Sequence, residues 1–229
     1  METNRVWNEY NQANQRDERM AHEWILTLKN WLMVNLCGEG SRTILDYGCG
    51  YFDLGIELIR EGQSVDGFDP FGPAVQVARH RVEELVPGRA QIWSSATEIP
   101  KARYNVIVLN SVIQYMTADN ELEKFLSFAR ELLRQEAGLI VISDVIPRDY
   151  SPALDGLECL SHAARRGVLR PMILHLGRTF KNDGHKAVKR YDFADLKALA
   201  EDSGYEAKKL ECNLTPSRRR YSVVLQTAP

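Results

Sequence analysis

The sequence is poor in cysteine, has no long apolar run and carries almost no net charge, and each shortage removes a class of protein. Its 229 residues include four cysteines, Cys37, Cys49, Cys159 and Cys212. None forms a Cys-x-x-Cys pair, which argues against a disulfide scaffold or a zinc site and predicts a reduced, cytoplasmic protein. No apolar stretch approaches the roughly 20 residues of a bilayer-crossing helix. The opening METNRVWNEYNQANQRDERM is too polar for a signal peptide. A formal charge of −2 gives no general attraction to nucleic acid or anionic lipid. Repeats and low-complexity tracts are absent too.

What is present suits one globular unit. A hydrophobic content of 44% fills one core, and the length is short for two, so 1–229 is read as a single domain. Trp24, Leu28, Trp31 and Leu32 recur at helical spacing and predict an amphipathic helix over about 17–36. After it, strands and helices alternate. ILDYG, SVDGFD, AQIWS, YNVIVLN and GLIVISDV read as strands. LGIELIREG, the stretch after Gly72-Pro73, and the Leu122, Phe125, Leu126, Ala129 face read as helices. Parallel neighbours need crossover connections, so this order predicts a doubly wound, Rossmann-like α/β sheet with helices on both faces. The segments YEAKKLECNL and RYSVVLQT, separated by TPSRR, close the chain as strands of a hairpin. Between 147 and 190 the alternation lapses. That stretch holds nine Lys/Arg against four Asp/Glu and three of the five histidines, and we read it as a helical cap insertion over the ligand edge.

Residues 44–53, ILDYGCGYFD, carry the chemistry. Ligands of open α/β sheets sit beyond the carboxyl ends of the strands where strand order reverses, and a glycine turn after the first strand marks that place. Gly48 and Gly50 admit close backbone approach. Asp69, 21 residues after Gly48, ends the second strand at the distance that suits a carboxylate on both ribose hydroxyls. A diphosphate prefers a helix start without negative charge, yet Asp53 stands where Gly-x-Gly-x-x-Gly has its last glycine, and Asp46 precedes the turn. Two carboxylates suit a ligand with an ammonium and a sulfonium.

These residues resemble the class I S-adenosylmethionine-dependent methyltransferases across about 40–145, with weaker similarity to the end. The resemblance implies a seven-stranded sheet whose last two strands pair antiparallel. It also implies S-adenosylmethionine as cofactor and S-adenosylhomocysteine as product. LDYGCGYF is similar to the first motif: Asp46 would hold the methionine amino group, and the Gly48-Cys49-Gly50 backbone would line the cofactor. Phe52 replaces a usual glycine and would cover the methionine end. Asp69 in VDGFDP matches the ribose-binding acid, with Pro70 beside it. SSATEIP matches the adenine-side segment at Ser95 and Ala96, where the family has an acid. NSVIQYM matches the methionine-side wall at Asn110, Ser111 and Gln114. Residues 1–40 would be an N-terminal helical lid bringing Trp7 and Tyr10 over the cofactor. Residues 41–146 would be the cofactor-binding core, 147–190 the cap, and 191–229 the terminal helix and hairpin.

Methyl transfer needs alignment first, and a base only if the acceptor must lose a proton. The base candidates are His162, His175 and His185 in the cap, Tyr115 at the end of the fourth strand and Asp144 at the end of the fifth. His162 and Tyr115 are the two we select, although surface helix, core and wall positions account for such residues equally well. The Arg218-Arg219-Arg220 run reads either as a solvated hairpin entrance or, with the basic cap, as a weakly lipid-facing surface. The Pro-Pro-aromatic motif of base-amine methyltransferases is replaced here by Asn110-Ser111-Val112-Ile113, and nothing suggests a metal. The predicted activity is therefore methyl transfer to an oxygen or nitrogen of a small molecule. An NAD(P)-dependent oxidoreductase and a non-catalytic methyltransferase-like scaffold are the alternatives.

Overall fold

A computed structural model describes residues 17–38, 40–134, 138–181 and 188–227. The expectations for Trp7, Tyr10 and His185 lie outside the described residues. Asp17 opens the first helix, its Oδ1 accepting the Met20 N–H at 2.9 Å, as a helix N-cap requires. This helix, α1 (Glu18–Leu32), buries Ile25, Leu28 and Leu32. A π-helical turn, Met33–Cys37, follows, so the regular helix stops short of the predicted 36.

Seven strands form one sheet: β1 (Thr43–Tyr47), β2 (Ser64–Phe68), β3 (Ile92–Trp93), β4 (Val106–Asn110), β5 (Leu139–Val145), β6 (Tyr205–Lys209) and β7 (Tyr221–Thr227). Their order is β3-β2-β1-β4-β5-β7-β6. The first five run parallel, β7 is antiparallel to β5, and β6 is antiparallel to β7. This is the doubly wound sheet with a terminal antiparallel pair. Two details differ from expectation. β3 is an edge strand that meets β2 only at Gly67 and Phe68, so AQIWS shrinks to two residues. The connection between β6 and β7 spans 210–220 instead of a tight TPSRR turn.

Alternating side chains build a core on each face. Ile44, Val106, Val108 and Val141 point toward α1, α2 (Asp53–Arg60) and α3 (Gly72–Leu85). Leu45, Ile107, Leu109, Ile140 and Ile142 point toward α4 (Glu121–Leu132) and α7 (Phe193–Asp202). Burying one such side chain contributes about 1.5–3 kcal/mol, and a one-residue slip would exchange the two sets, so the register is firmly held. Residues 152–181 form two helices, α5 (Pro152–Arg165) and α6 (Leu169–Lys181). Cys159, Ala163, Val168 and Met172 make a small core there with Met20 and Trp24 of α1. Strand order reverses between β1 and β4, which opens a crevice at their carboxyl ends.

Candidate functional site

The glycine turn that leaves β1 spends its amides on the protein. Gly48 and Cys49 both donate N–H to the Phe68 carbonyl, at 2.7 and 2.9 Å, and Phe52 donates to the Cys49 carbonyl at 2.8 Å. Gly50 donates to Asp69 Oδ2 at 2.8 Å, while Asp69 Oδ1 accepts the Phe71 N–H at 2.8 Å. Gly48 and Gly50 have positive φ, 81° and 53°, which glycine adopts without steric cost. Gly50 faces open space, whereas a methyl on Gly48 would fall 2.5 Å from Val112 Cγ2. The start of α2 holds a further carboxylate, Asp53, whose charge Arg81 offsets at 2.8 Å.

Phe52 corrects the expectation that it covers the methionine end. Its ring is fully buried in the core against Gly67 and Gly55. A methyl on Gly67 would lie 2.8 Å from Phe52 Cδ2, and one on Gly55 would collide with the ring. The backbone at Phe52 is left-handed, φ 62°, a conformation that costs a side-chain-bearing residue about 1–2 kcal/mol. The glycine usual at this position avoids that cost. Here the ring fills the space left by two other glycines.

Five of the candidate residues, Gly48, Asp69, Pro70, Ser111 and Tyr115, line one cavity of about 210 Å³. Asp46 lies buried beside it. Its burial and the neighbouring Asp69 carboxylate push it up to about 7 from an ordinary 3.8. Burial, reinforced by Asp46 and Asp69, raises the Cys49 thiol well above its ordinary value, so it is no nucleophile. Asn110 Oδ1 accepts from Ser143 Oγ at 2.7 Å. Ser95 lies two residues beyond β3, its hydroxyl 2.8 Å from that of Thr97, with Ala96 packed toward the core. Gln114 is buried, and its backbone carbonyl accepts the Lys189 backbone N–H at 2.8 Å.

Beyond Ser111 the crevice meets a buried polar network. Ser111 Oγ donates to Asp144 Oδ2 at 2.6 Å, Thr215 Oγ1 donates to Oδ1 at 2.6 Å, and Arg220 Nη1 donates to Oδ2 at 2.7 Å. Arg220 Nη2 reaches Asp155 of α5 at 2.8 Å. Asp155 also accepts from Tyr150 at 2.7 Å and from Ser217. Burial alone would raise Asp144, but Arg220 and the hydroxyl donors outweigh it and hold the carboxyl below its ordinary value. An ionised carboxylate already accepting from three side chains does not serve as a base, which removes Asp144 as a candidate. The Arg218-Arg219-Arg220 run is likewise no simple solvated entrance: Arg219 pairs with Glu158 at 3.2 Å and Arg220 is enclosed by the network.

The other side of this network is a cleft of about 1130 Å³ between Pro147, Phe193, Asn213, Thr215, Arg218 and His162. His162 packs edge-on to Trp24 with ring centres 6.0 Å apart. Burial, aided by Arg166, lowers its pKa from 6.5, so it is neutral near pH 7. The two selected bases are therefore not brought together: Tyr115 lines the smaller cavity, His162 the larger cleft. Sequence reasoning missed Tyr47, Phe68, Val112, Met116 and Glu121 of the smaller cavity. Tyr47 and Phe68 were discoverable as the terminal residues of β1 and β2. The others are set by the 3₁₀ turn Ile113–Tyr115 and the start of α4, which carried no such signal.

Comparisons agree with this fold. The chain is similar in fold to the 1,6-didemethyltoxoflavin-N1-methyltransferase of Burkholderia thailandensis, solved with 1,6-didemethyltoxoflavin and S-adenosylhomocysteine. The TM-score is 0.66 at 14% identity, covering 99% of this chain and 87% of that one. The magnesium protoporphyrin IX methyltransferase ChlM of Synechocystis PCC 6803, solved with S-adenosylhomocysteine, aligns with TM-score 0.61 at 16% identity. That alignment covers 96% and 92% of the two chains. Among curated proteins, a probable nonribosomal peptide synthetase of Salinispora arenicola, CymA, is 32% identical over 110 residues, 46% of this chain. The matched stretch spans only 1% of that much longer protein. The family model described as "Methyltransferase domain" matches residues 13–210, and the chain belongs to that family.

Proposed function

We propose that the chain binds S-adenosylmethionine in the crevice at the ends of β1, β2 and β4 and directs its methyl group to an oxygen or nitrogen of a small-molecule acceptor. The carrying observation is the state of the glycine turn. Its Gly48, Cys49 and Gly50 amides are already engaged by Phe68 and Asp69. A nicotinamide or flavin dinucleotide would need such amides for its diphosphate, and the Asp46 carboxylate before the turn would repel it. Asp46 and Asp69 fit an ammonium and a ribose diol. Two backbone donors do not exhaust Asp69, since a carboxylate has about four acceptor sites.

When bound, the sulfonium supplies an electrophilic methyl group. The chain's own contribution is placement. Asp46 holds the ammonium, Asp69 the ribose, and Phe68, Pro70, Val112 and Met116 give apolar walls. The acceptor must reach the methyl group in the crevice itself, aligned at about 3–3.5 Å. His162 lines the cleft on the far side of the Ser111–Asp144–Arg220 network, so an amine acceptor, which needs alignment only, fits the site better than one that depends on that histidine. The toxoflavin and protoporphyrin enzymes named above, both methyltransferases of small molecules, favour a small-molecule acceptor.

Calorimetric titration with S-adenosylmethionine, S-adenosylhomocysteine and NAD tests the cofactor assignment. Binding of the first two without the third is expected, and NAD binding without them would overturn it. Release of S-adenosylhomocysteine across a panel of hydroxyl- and amine-bearing small molecules then identifies the acceptor.

A further inference from the structure

Among the described residues, eight large apolar side chains are exposed, and five of them, Leu154, Leu157, Leu169, Ile173 and Leu174, lie on α5 and α6. Leu154, Leu157 and Leu174 fall opposite the inward face that Cys159, Ala163, Val168 and Met172 give to α1, with Ile173 on the flank and Leu169 at the exposed first turn of α6. The charge on the same outward surface is of one sign. Exposed positions between 152 and 177 include Arg165, Arg166 and Arg170 and no acid. Asp155 is buried in the Arg220 network and Glu158 pairs with Arg219. Arg166 is neutralised by Glu23 at 3.0 Å, which leaves Arg165 and Arg170 as cations among the exposed leucines.

We propose that this α5–α6 face docks on an anionic bilayer surface. Acyl chains would meet the leucine and isoleucine side chains, and lipid phosphates would meet the two guanidinium groups, the pairing by which amphipathic helices lie in a membrane interface. A second copy of the chain is a poorer partner: a two-fold contact returns each patch to itself and sets arginine against arginine. The face shares no residue with the crevice, so the assignment does not rest on the reading of that site.

The test is co-sedimentation of the full chain with phosphatidylcholine vesicles, with and without phosphatidylglycerol. Binding to the anionic vesicles alone is expected, and it should weaken as salt shortens the screening length from about 10 Å at 0.1 M to about 3 Å at 1 M. The combined Leu157→Ser, Ile173→Ser and Leu174→Ser variant should lose sedimentation. Arg165→Gln and Arg170→Gln should each lower partitioning roughly fivefold. These positions are exposed, so all variants should melt with the wild type, and cofactor titration supplies a second check of folding. No binding to anionic vesicles, or equal binding to neutral ones, overturns the proposal. Self-association of the wild type that the serine variant abolishes, without vesicle binding, assigns the face to a second copy instead.

Discussion

Replacing Asp46 by asparagine should make the empty protein more stable while making it a worse cofactor binder, with both effects governed by pH. Burial and Asp69 lift the Asp46 carboxyl from 3.8 to about 7 in the folded chain. A folded value above the unfolded one means that the folded chain holds a proton the unfolded chain has released. Stability is therefore unaffected below about pH 4, declines as pH rises, and reaches its full deficit above pH 7. The difference corresponds to on the order of 4 kcal/mol. For a chain of this size that is on the order of 10 °C in Tm. Asp46→Asn removes the deficit, so its melting temperature should match the wild type near pH 4 and exceed it at pH 8. Binding runs the other way. An ammonium needs the ionised carboxylate, which falls from about ten-elevenths of molecules at pH 8 to one-eleventh at pH 6, so wild-type affinity for S-adenosylmethionine should drop about tenfold. The variant should bind weakly and nearly independently of pH. Differential scanning calorimetry at pH 4, 6 and 8 and titration calorimetry at pH 6 and 8 measure both. A stability gap that ignores pH, or a wild-type affinity equal at pH 6 and 8, would refute the reasoning.

Three further variants separate packing, cofactor binding and the buried network. Phe52→Gly regains the left-handed strain of about 1–2 kcal/mol but loses a buried ring worth about 3–5 kcal/mol. Urea unfolding should show a net loss of about 1–4 kcal/mol, and an unchanged or raised midpoint would mean the ring is not packing as described. Asp69→Ala should weaken S-adenosylmethionine binding at least about 100-fold, since two charge-assisted bonds of about 1.5–3 kcal/mol each are lost; calorimetry showing unchanged affinity would identify a different ribose partner. Arg220→Met strands Asp144 and Asp155 in the interior, at a cost of about 3–5 kcal/mol near pH 7. In the wild type Asp144 sits below its ordinary value, so its stabilisation is present at neutral pH and lost only in acid. Thermal melts should thus show the wild type and variant converging as pH falls, and a constant gap would count against the ion network.

The sheet was legible because strands buried on both faces form nearly continuous apolar runs. YNVIVLN and GLIVISDV could hardly be anything else, and the hairpin strands survived an error of several residues in their connection. β3 was overestimated because AQIWS has strand composition but only one neighbour to pair with. In the crevice, Gly48, Asp69 and Ser111 were readable because strand ends and turn glycines leave a local signature. Phe52 was misassigned because its substitution looked functional from the motif alone. The compensating absence of side chains at Gly55 and Gly67 becomes meaningful only when α2 lies against β2. Arg220 was beyond reach for a different reason: its partners Asp144 and Asp155 lie 76 and 65 residues away, and no periodicity links such positions.

That network also explains two backbone conformations that would otherwise be unfavourable. Ser111 follows β4 and Asp144 is the penultimate residue of the adjacent β5, and both have positive φ, 57° and 68°, at a cost of about 1–3 kcal/mol each. Their side chains bond to one another, and Asp144 is fixed further by Thr215 and Arg220. Charge-assisted bonds of about 1.5–3 kcal/mol apiece are enough to hold both residues there. The conformation of Ser111 in the cofactor crevice therefore depends on an arginine from the β6–β7 connection, and that arginine depends in turn on Asp155 of α5. A displacement of α5 that breaks the Arg220–Asp155 pair would loosen the anchor of Asp144 and, through it, the wall of the crevice. Helix α5 and the crevice are in this sense one mechanical unit, joined by ionic groups that cannot be separated without exposing a buried charge.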